Sequence, residues 1–276
     1  MRVRLTVIGC SPAWPNPGGA HSGYLVEHEG RRLLLDCGPG VLPRLRQAEA
    51  WPRIDAIMIT HFHLDHWGDV VPWVWGALFR RNGAGRRPEL WVHPNGVSHL
   101  ADFGERFGGV PNMFDLVFDV HQYPAEETVT VAGFDLTAIR VPHYTLETYG
   151  FRVSAGGVTV AYSGDTGPSD RLADLARDAD LFVCEATLAR GVADGPPRGH
   201  LSAEEAVEAF DASGARRLLL THRPEELPVA PGLGLAYDGM EIELVPDASR
   251  VWPSGLTRRR PGTRDAGQTG RSDPVT

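Results

Sequence analysis

The sequence predicts a mixed α/β fold in which β-sheets are covered by helices on their outer faces. Short runs with strand character recur from the N-terminus to about residue 221, helical patterns fall between them, and the residues able to do chemistry stand just after strands. Interleaving of this kind is how sheets come to be covered by helices. With 276 residues, 42% hydrophobic and 22% charged, the composition is globular, and one large core can form without disulfides. One catalytic domain over residues 1–253 is expected.

Val3, Leu5 and Val7 alternate with polar residues as a half-buried strand does. Residues 22–36 read as two strands around the turn His28-Glu29-Gly30, and Asp55 to Thr60 as a strand that ends in a histidine cluster. Val70 to Arg81 has a helical pattern despite Pro72. The stretch from Asn82 to Pro88 breaks it before a strand over Leu90 to His93. Strands are predicted around Val129, over Leu136 to Val141, Phe151 to Ser154 and Val158 to Ser163, the last two joined by a Gly-Gly turn. Helices at Ser169 to Arg177 and Ser202 to Ala212 then alternate with strands at Leu181 to Cys184 and Arg217 to Thr221. Ser202-Ala203-Glu204-Glu205 has the form of a capping box. From Ser254 to Thr276 almost nothing is apolar, so a disordered C-terminal tail is expected.

Several function classes are disfavoured by composition. No apolar run approaches the roughly 18 to 20 residues of a membrane span, and the N-terminus alternates where a signal peptide would be continuously apolar. A cytoplasmic location is expected. Cys10, Cys37 and Cys184 are odd in number and far apart, which suits reduced thiols better than a disulfide framework or a Cys-x-x-Cys clamp. The formal net charge of −8 gives no basic face for a polynucleotide backbone.

The decisive segment is Thr60-His61-Phe62-His63-Leu64-Asp65-His66-Trp67-Gly68-Asp69. Imidazole and carboxylate donors together suit Zn²⁺, with Fe²⁺ or Mn²⁺ as alternatives, rather than Mg²⁺ or Ca²⁺. His61 and His63, two apart in an extended turn, can point the same way, while Asp65 and His66 begin a helix and face a second centre. One segment can then serve two ions about 3.5 to 4 Å apart if distant loops complete each shell. His143, Asp165 and His222, each just after a strand, are the candidates.

The HxHxDH cluster, Pro142-His143, Ser163-Gly164-Asp165-Thr166 and Thr221-His222 occur in the order of the metallo-β-lactamase superfamily, which the chain resembles over nearly its whole length up to the tail. The resemblance implies a four-layer αββα sandwich, with His61, His63 and His143 on one ion, Asp65, His66 and His222 on the other, and Asp165 bridging them. Asp36, in Leu35-Asp36-Cys37-Gly38, matches the aspartate that supports the metal loop in that family; otherwise it is a strand-end turn residue. Glu185-Ala186-Thr187 and Gly199-His200-Leu201-Ser202 resemble motifs of the ribonuclease Z-like phosphodiesterases, where the glutamate and histidine handle protons beside the metals; Cys184 stands where ribonuclease Z usually has histidine. By this resemblance Asp65, Glu185 and His200 form the catalytic set.

Within that branch the sequence is most similar to the atypical class II cyclic-AMP phosphodiesterases, through Ser22-Gly23-Tyr24-Leu25, Phe118-Asp119-Val120-His121, Ser163-Gly164-Asp165-Thr166-Gly167 and Leu218-Leu219-Leu220-Thr221-His222. The short stretch between His143 and Asp165 has no room for the basic arm that grips tRNA in ribonuclease Z, so a tRNA 3′-processing endonuclease is the weaker reading. Two divalent ions would lower the pKa of a shared water and bind the phosphodiester oxygens, and a histidine opposite would protonate the leaving alkoxide. The expected partner is therefore a small phosphodiester, with no membrane and no long nucleic acid, and a homodimer is left open. A lactonase, β-lactamase or thioesterase attacking a carbonyl on the same site is the alternative; a passive metal-binding protein would not require Glu185 and His200. Trp67, Trp73, Trp75 and Tyr144 are near ligands in sequence and either stack on a base or belong to the core, and His121 is a candidate for the pocket wall.

Overall fold

Strand β1 (Val3–Gly9) turns Val3, Leu5 and Val7 inward and Arg4 outward, as the period-two geometry of a strand requires. It pairs antiparallel with β2 (Gly23–His28), which returns into β3 (Arg31–Leu35) through Glu29 and Gly30, both at positive φ. Two-residue turns of that conformation match the twist of the strands they join. The computed structural model describes residues 2–49, 51–79, 86–189 and 195–246; those up to Pro246 form one unit. The expected tail over 254–276, and the end of the expected helix at Arg80 and Arg81, lie outside the described residues.

Helix α1 (Val41–Ala48) follows β3, and its first turn is closed by the Asp69 carboxylate, which accepts the Leu42 N–H at 2.8 Å. Next come β4 (Ala56–Met58), α2 (Leu64–Trp67) and α3 (Val70–Phe79). Pro72 is tolerated in α3 because it lies in the first turn, where no intrahelical N–H bond is lost. Strand β5 (Glu89–Val92), helix α4 (Gly96–Phe103) and strand β6 (Asp119–Gln122) complete the first half. The second half opens with β7 (Thr128–Val131), the long hairpin of β8 (Phe134–His143) and β9 (Leu146–Ala155), and β10 (Val158–Tyr162). After these run α5 (Arg171–Leu175), β11 (Leu181–Glu185), α6 (Ala203–Ser213), β12 (Leu218–Thr221), β13 (Gly234–Leu235) and β14 (Glu241–Leu244). The expected capping box is present: Ser202 Oγ accepts the Glu205 N–H, and the Glu205 carboxylate accepts the Ser202 N–H.

The strands form two seven-stranded sheets, β14-β1-β2-β3-β4-β5-β6 and β13-β12-β11-β10-β9-β8-β7. Between them lie Leu5, Val7, Leu33 and Leu35 with Leu136, Phe151, Val153 and Val160. On the outer face of the first sheet Leu34 and Ile57 pack with Trp73, Val74 and Phe118; on the second, Ile139, Ala161 and Phe182 pack with Leu172, Leu175 and Ala206. Burying each large side chain of this kind stabilises the fold by roughly 1.5–3 kcal/mol. The result is the four-layer αββα sandwich. Strands β3 to β6 run parallel, as do β10 to β13, so β4, β8, β10, β11 and β12 bring His61, His143, Asp165, Glu185 and His222 to their carboxyl ends. No helix among the described residues is long and apolar enough to cross a membrane.

Candidate metal centre

All seven expected ligands meet in two groups that share one residue. His61, His63, His143 and Asp165 form the first, and Asp65, His66, Asp165 and His222 the second. The two oxygens of Asp165 divide between them: Oδ2 lies 3.9 Å from His61 Nε2 and 3.8 Å from His143 Nε2, while Oδ1 lies 3.1 Å from His66 Nε2 and 3.5 Å from His222 Nε2. Asp65 Oδ2 stands 3.2 Å from His222 Nε2 and 3.6 Å from His66 Nε2, and His63 Nδ1 stands 3.0 Å from His143 Nε2. Donors about 2.0–2.1 Å from a tetrahedral ion would stand about 3.3–3.4 Å apart, so these spacings suit one divalent transition-metal ion in each group.

The fit also shows in what the donors lack. His61 Nε2 is buried without a hydrogen-bond partner, and His66 Nε2 and Asp165 Oδ1 have only one another at 3.1 Å, an arrangement that a bound cation would satisfy. Burial pushes His61 well below the ordinary imidazole range and lowers His63 and His143, which keeps them neutral as metal donors must be. Burial would raise Asp165, but His222 and His66 outweigh it and hold the carboxyl well below the usual range. Asp65 is likewise lowered against its burial, by His222 and His66. Burial would lower His66; Asp165 and Asp36 reverse this and raise it well above 6.5.

The loop Ser163-Gly164-Asp165 passes so close to its neighbours that a Cβ at Gly164 would stand 2.9 Å from Tyr149 O, and the backbone there has φ +59°. Asp36, Tyr144 and His222 also adopt positive φ, at a cost of roughly 1–3 kcal/mol each that the surrounding contacts must offset. Asp36 stands beneath the site. Its Oδ1 accepts the Thr60 N–H at 2.8 Å, and its Oδ2 accepts the Tyr162 hydroxyl at 2.8 Å and lies 2.7 Å from His66 Nδ1. The supporting position expected for it is where it lies.

A third group, Glu185, His200 and His222, adjoins the two. Glu185 is fully buried and accepts backbone N–H groups from Thr166, Leu201 and Thr187, at 2.8, 3.2 and 3.2 Å. His200 Nδ1 lies 2.9 Å from Glu185 Oε1. A carboxylate so fully supplied with N–H donors suits holding an imidazole better than taking a further ion. The His200 side chain keeps 12% of its surface exposed, and its ring lies 5.0 Å from that of His143 and 5.7 Å from that of His222. The adjoining Gly199 carbonyl lies 2.7 Å from His143 Nδ1, which ties the His200 segment to a member of the first group.

Of the aromatic residues named from sequence, Trp67 and Trp73 belong to the packed layer outside the first sheet, and Trp75 stacks on Phe79 at the surface. Tyr144 alone of the four touches the site, with its ring 4.8 Å from His143 and 5.7 Å from His200. His121 stacks on Trp91 of the neighbouring strand. Sequence reasoning missed Thr187, whose hydroxyl touches both Glu185 and His222, and Arg223, whose guanidinium donates to the Ala186 and Leu188 carbonyls. Thr187 had a signal, since it closes the Glu-Ala-Thr motif. Arg223 had none beyond its place after His222.

Two seven-stranded sheets with the metal-ligand groups at their carboxyl ends define a metal-dependent hydrolase of the metallo-β-lactamase fold. The beta-lactamase superfamily domain matches residues 31–223, and the chain belongs to that family. It is 36% identical to an uncharacterized protein of Mycobacterium tuberculosis over 226 residues, covering 80% of this chain and 81% of that one. It is 30% identical to the probable metallo-hydrolase YhfI of Bacillus subtilis, covering 80% and 87% of the two chains. The crystal structure of YhfI superposes with a TM-score of 0.76 over 88% of this chain and all of that one, at 24% identity. Ribonuclease Z of Ignicoccus hospitalis is 28% identical, covering 80% and 88%. That alignment takes 276 positions to cover the share of this chain that the mycobacterial one covers in 226, so the ribonuclease carries inserted residues with no counterpart here.

Proposed function

We propose that the protein is a phosphodiesterase acting on a small cyclic nucleotide, with 3′,5′-cyclic AMP as the leading substrate. His61, His63 and His143 would hold one ion and Asp65, His66 and His222 the other, with Asp165 common to both groups; the nitrogen-rich donor set favours Zn²⁺. Such a pair, when bound, supplies water activated near neutral pH and draws charge from a phosphoryl group. The observation that carries the reading is the Glu185–His200 pair at 2.9 Å beside both groups. Glu185 holds the His200 ring in place, and His200 would give a proton to the departing alkoxide, a step that phosphodiester cleavage needs. Asp65, held ionised between His66 and His222, would orient the attacking water.

A small substrate is favoured over tRNA by the residues that ribonuclease Z has and this chain lacks, and by the net charge of −8. The test is turnover of 3′,5′-cyclic AMP, bis(p-nitrophenyl) phosphate, a homoserine lactone, nitrocefin and a precursor tRNA by one metal-replete preparation. Hydrolysis of both small phosphodiesters, with little action on the others, is expected. Preference for the lactone or nitrocefin would replace the reading with carbonyl hydrolysis, and efficient cleavage of the tRNA trailer would replace it with 3′ processing.

A further inference from the structure

We infer that Thr187 is a positioning residue that sets the tautomer of His222 and joins this imidazole to the Glu185–His200 pair, an inference that rests on the ligand assignment proposed above. The Thr187 hydroxyl lies 2.9 Å from Glu185 Oε2, 2.9 Å from His222 Nδ1 and 2.9 Å from the His222 carbonyl oxygen. A hydroxyl has one hydrogen to donate and lone pairs to accept with. The carboxylate and the carbonyl can only accept, so the hydroxyl hydrogen goes to one of them. His222 Nδ1 is then the N–H donor to Oγ1.

With its proton on Nδ1, His222 keeps the Nε2 lone pair for the second group, where Asp65 Oδ2 and Asp165 Oδ1 stand at 3.2 and 3.5 Å. Thr187, Glu185 and His222 are all buried, so water does not compete for these bonds. Glu185 thus orients two imidazoles at once. Its Oε1 holds His200 directly, and its Oε2 reaches His222 through Thr187, while the two rings stack 5.7 Å apart at 18°. Metal-binding histidines commonly give their second N–H straight to a carboxylate or carbonyl; here a hydroxyl stands between. Removing it leaves His222 Nδ1 without a partner and takes one donor from Glu185.

Stepwise Zn²⁺ affinities measured by chelator competition on the wild type, Thr187→Val and Thr187→Ser test this. Thr187→Val should weaken one equivalent about 10- to 100-fold and leave the other within about threefold, and Thr187→Ser, which restores the hydroxyl, should bring the weakened one back to within about threefold. Thr187→Ala, which adds no bulk, gives the same reading should the valine variant misfold. Wild-type affinity in the valine or alanine variant overturns the inference, as does a serine variant no better than valine. Equal weakening of both equivalents also overturns it, because that would mark a general structural role. The same titration counts the ions. A wild type that binds a single equivalent overturns the two-ion reading, while valine against serine on that equivalent still decides the role of Thr187.

Discussion

His66 and Asp36, both fully buried, meet at 2.7 Å through Nδ1 and Oδ2 across thirty residues of sequence, and this contact aims His66 Nε2 at Asp165. Asp36 also takes the Thr60 N–H and the Tyr162 hydroxyl, so it fixes the start of the histidine segment as well as one of its rings. Asp36→Asn keeps the shape, removes the charge and turns one acceptor into a donor that faces other donors. Metal affinity at the His66 group should fall about 10- to 100-fold, as it does when outer-shell partners of ligating histidines are lost. Chelator competition checks this, and unchanged affinity would remove Asp36 from its supporting role.

The two groups should load differently with pH. His66 is raised above 6.5 by Asp165 and Asp36 against its burial, so near neutrality it carries a proton that an incoming ion must displace. His61, His63 and His143 are lowered, chiefly by burial, and are already neutral there. Affinity at the His66 group should therefore rise with pH by up to about tenfold per unit below the folded pKa of His66, while the first group stays nearly flat above about pH 6.5. Calorimetric titrations at several pH values, in buffers of different ionisation enthalpy, would show proton release confined to one binding event. Equal pH slopes for both events would contradict this.

Gly199 has no room for a side chain. A Cβ there would stand 2.3 Å from Tyr144 Cε2 and 2.4 Å from Cζ, in the segment whose carbonyl meets His143 Nδ1. Gly199→Ala should lower stability by about 1–3 kcal/mol through overpacking and reduce kcat. Because the clash is with one ring, the double variant Gly199→Ala, Tyr144→Ala should recover most of the lost stability. Additive losses in thermal melts would show that the clash lies elsewhere.

The seven grouped side chains were legible because four of them fall within six residues and the other three follow strand patterns; the capping box of α6 and the alternation of β1 were equally local signals. The elements missed lacked such signals. Strand β6 lies at a sheet edge with no fully buried position, β13 is two residues long, and α1 starts from Gly38-Pro39-Gly40 with its first turn closed by Asp69, distant in sequence. The turn between β8 and β9 contains no glycine, so its ten-residue strands read as shorter, separate pieces. Strand β14 does alternate, over Glu241–Leu244, but its four residues gave too short a run to separate from the approach to the tail. Trp67 and Trp73 stand near the grouped histidines in sequence, yet from α2 and α3 their side chains pack onto the outer face of the first sheet, a distinction that only tertiary packing makes.

The role of His200 can be separated from that of the ligands by the leaving group. His200 belongs to neither of the two groups that share Asp165, so His200→Ala should retain the wild-type metal content. Loss of a general acid should lower kcat by roughly 10²- to 10⁴-fold. The size of the loss should depend on what departs. A ribose 3′-alkoxide needs a proton as the P–O bond breaks, whereas p-nitrophenolate leaves largely unaided, so turnover of cyclic AMP should suffer far more than that of bis(p-nitrophenyl) phosphate. Metal content and kcat are to be measured on the same preparation, since loss of an ion would depress both substrates together. Equal losses on the two substrates at full metal content would show that His200 serves binding or structure rather than proton transfer.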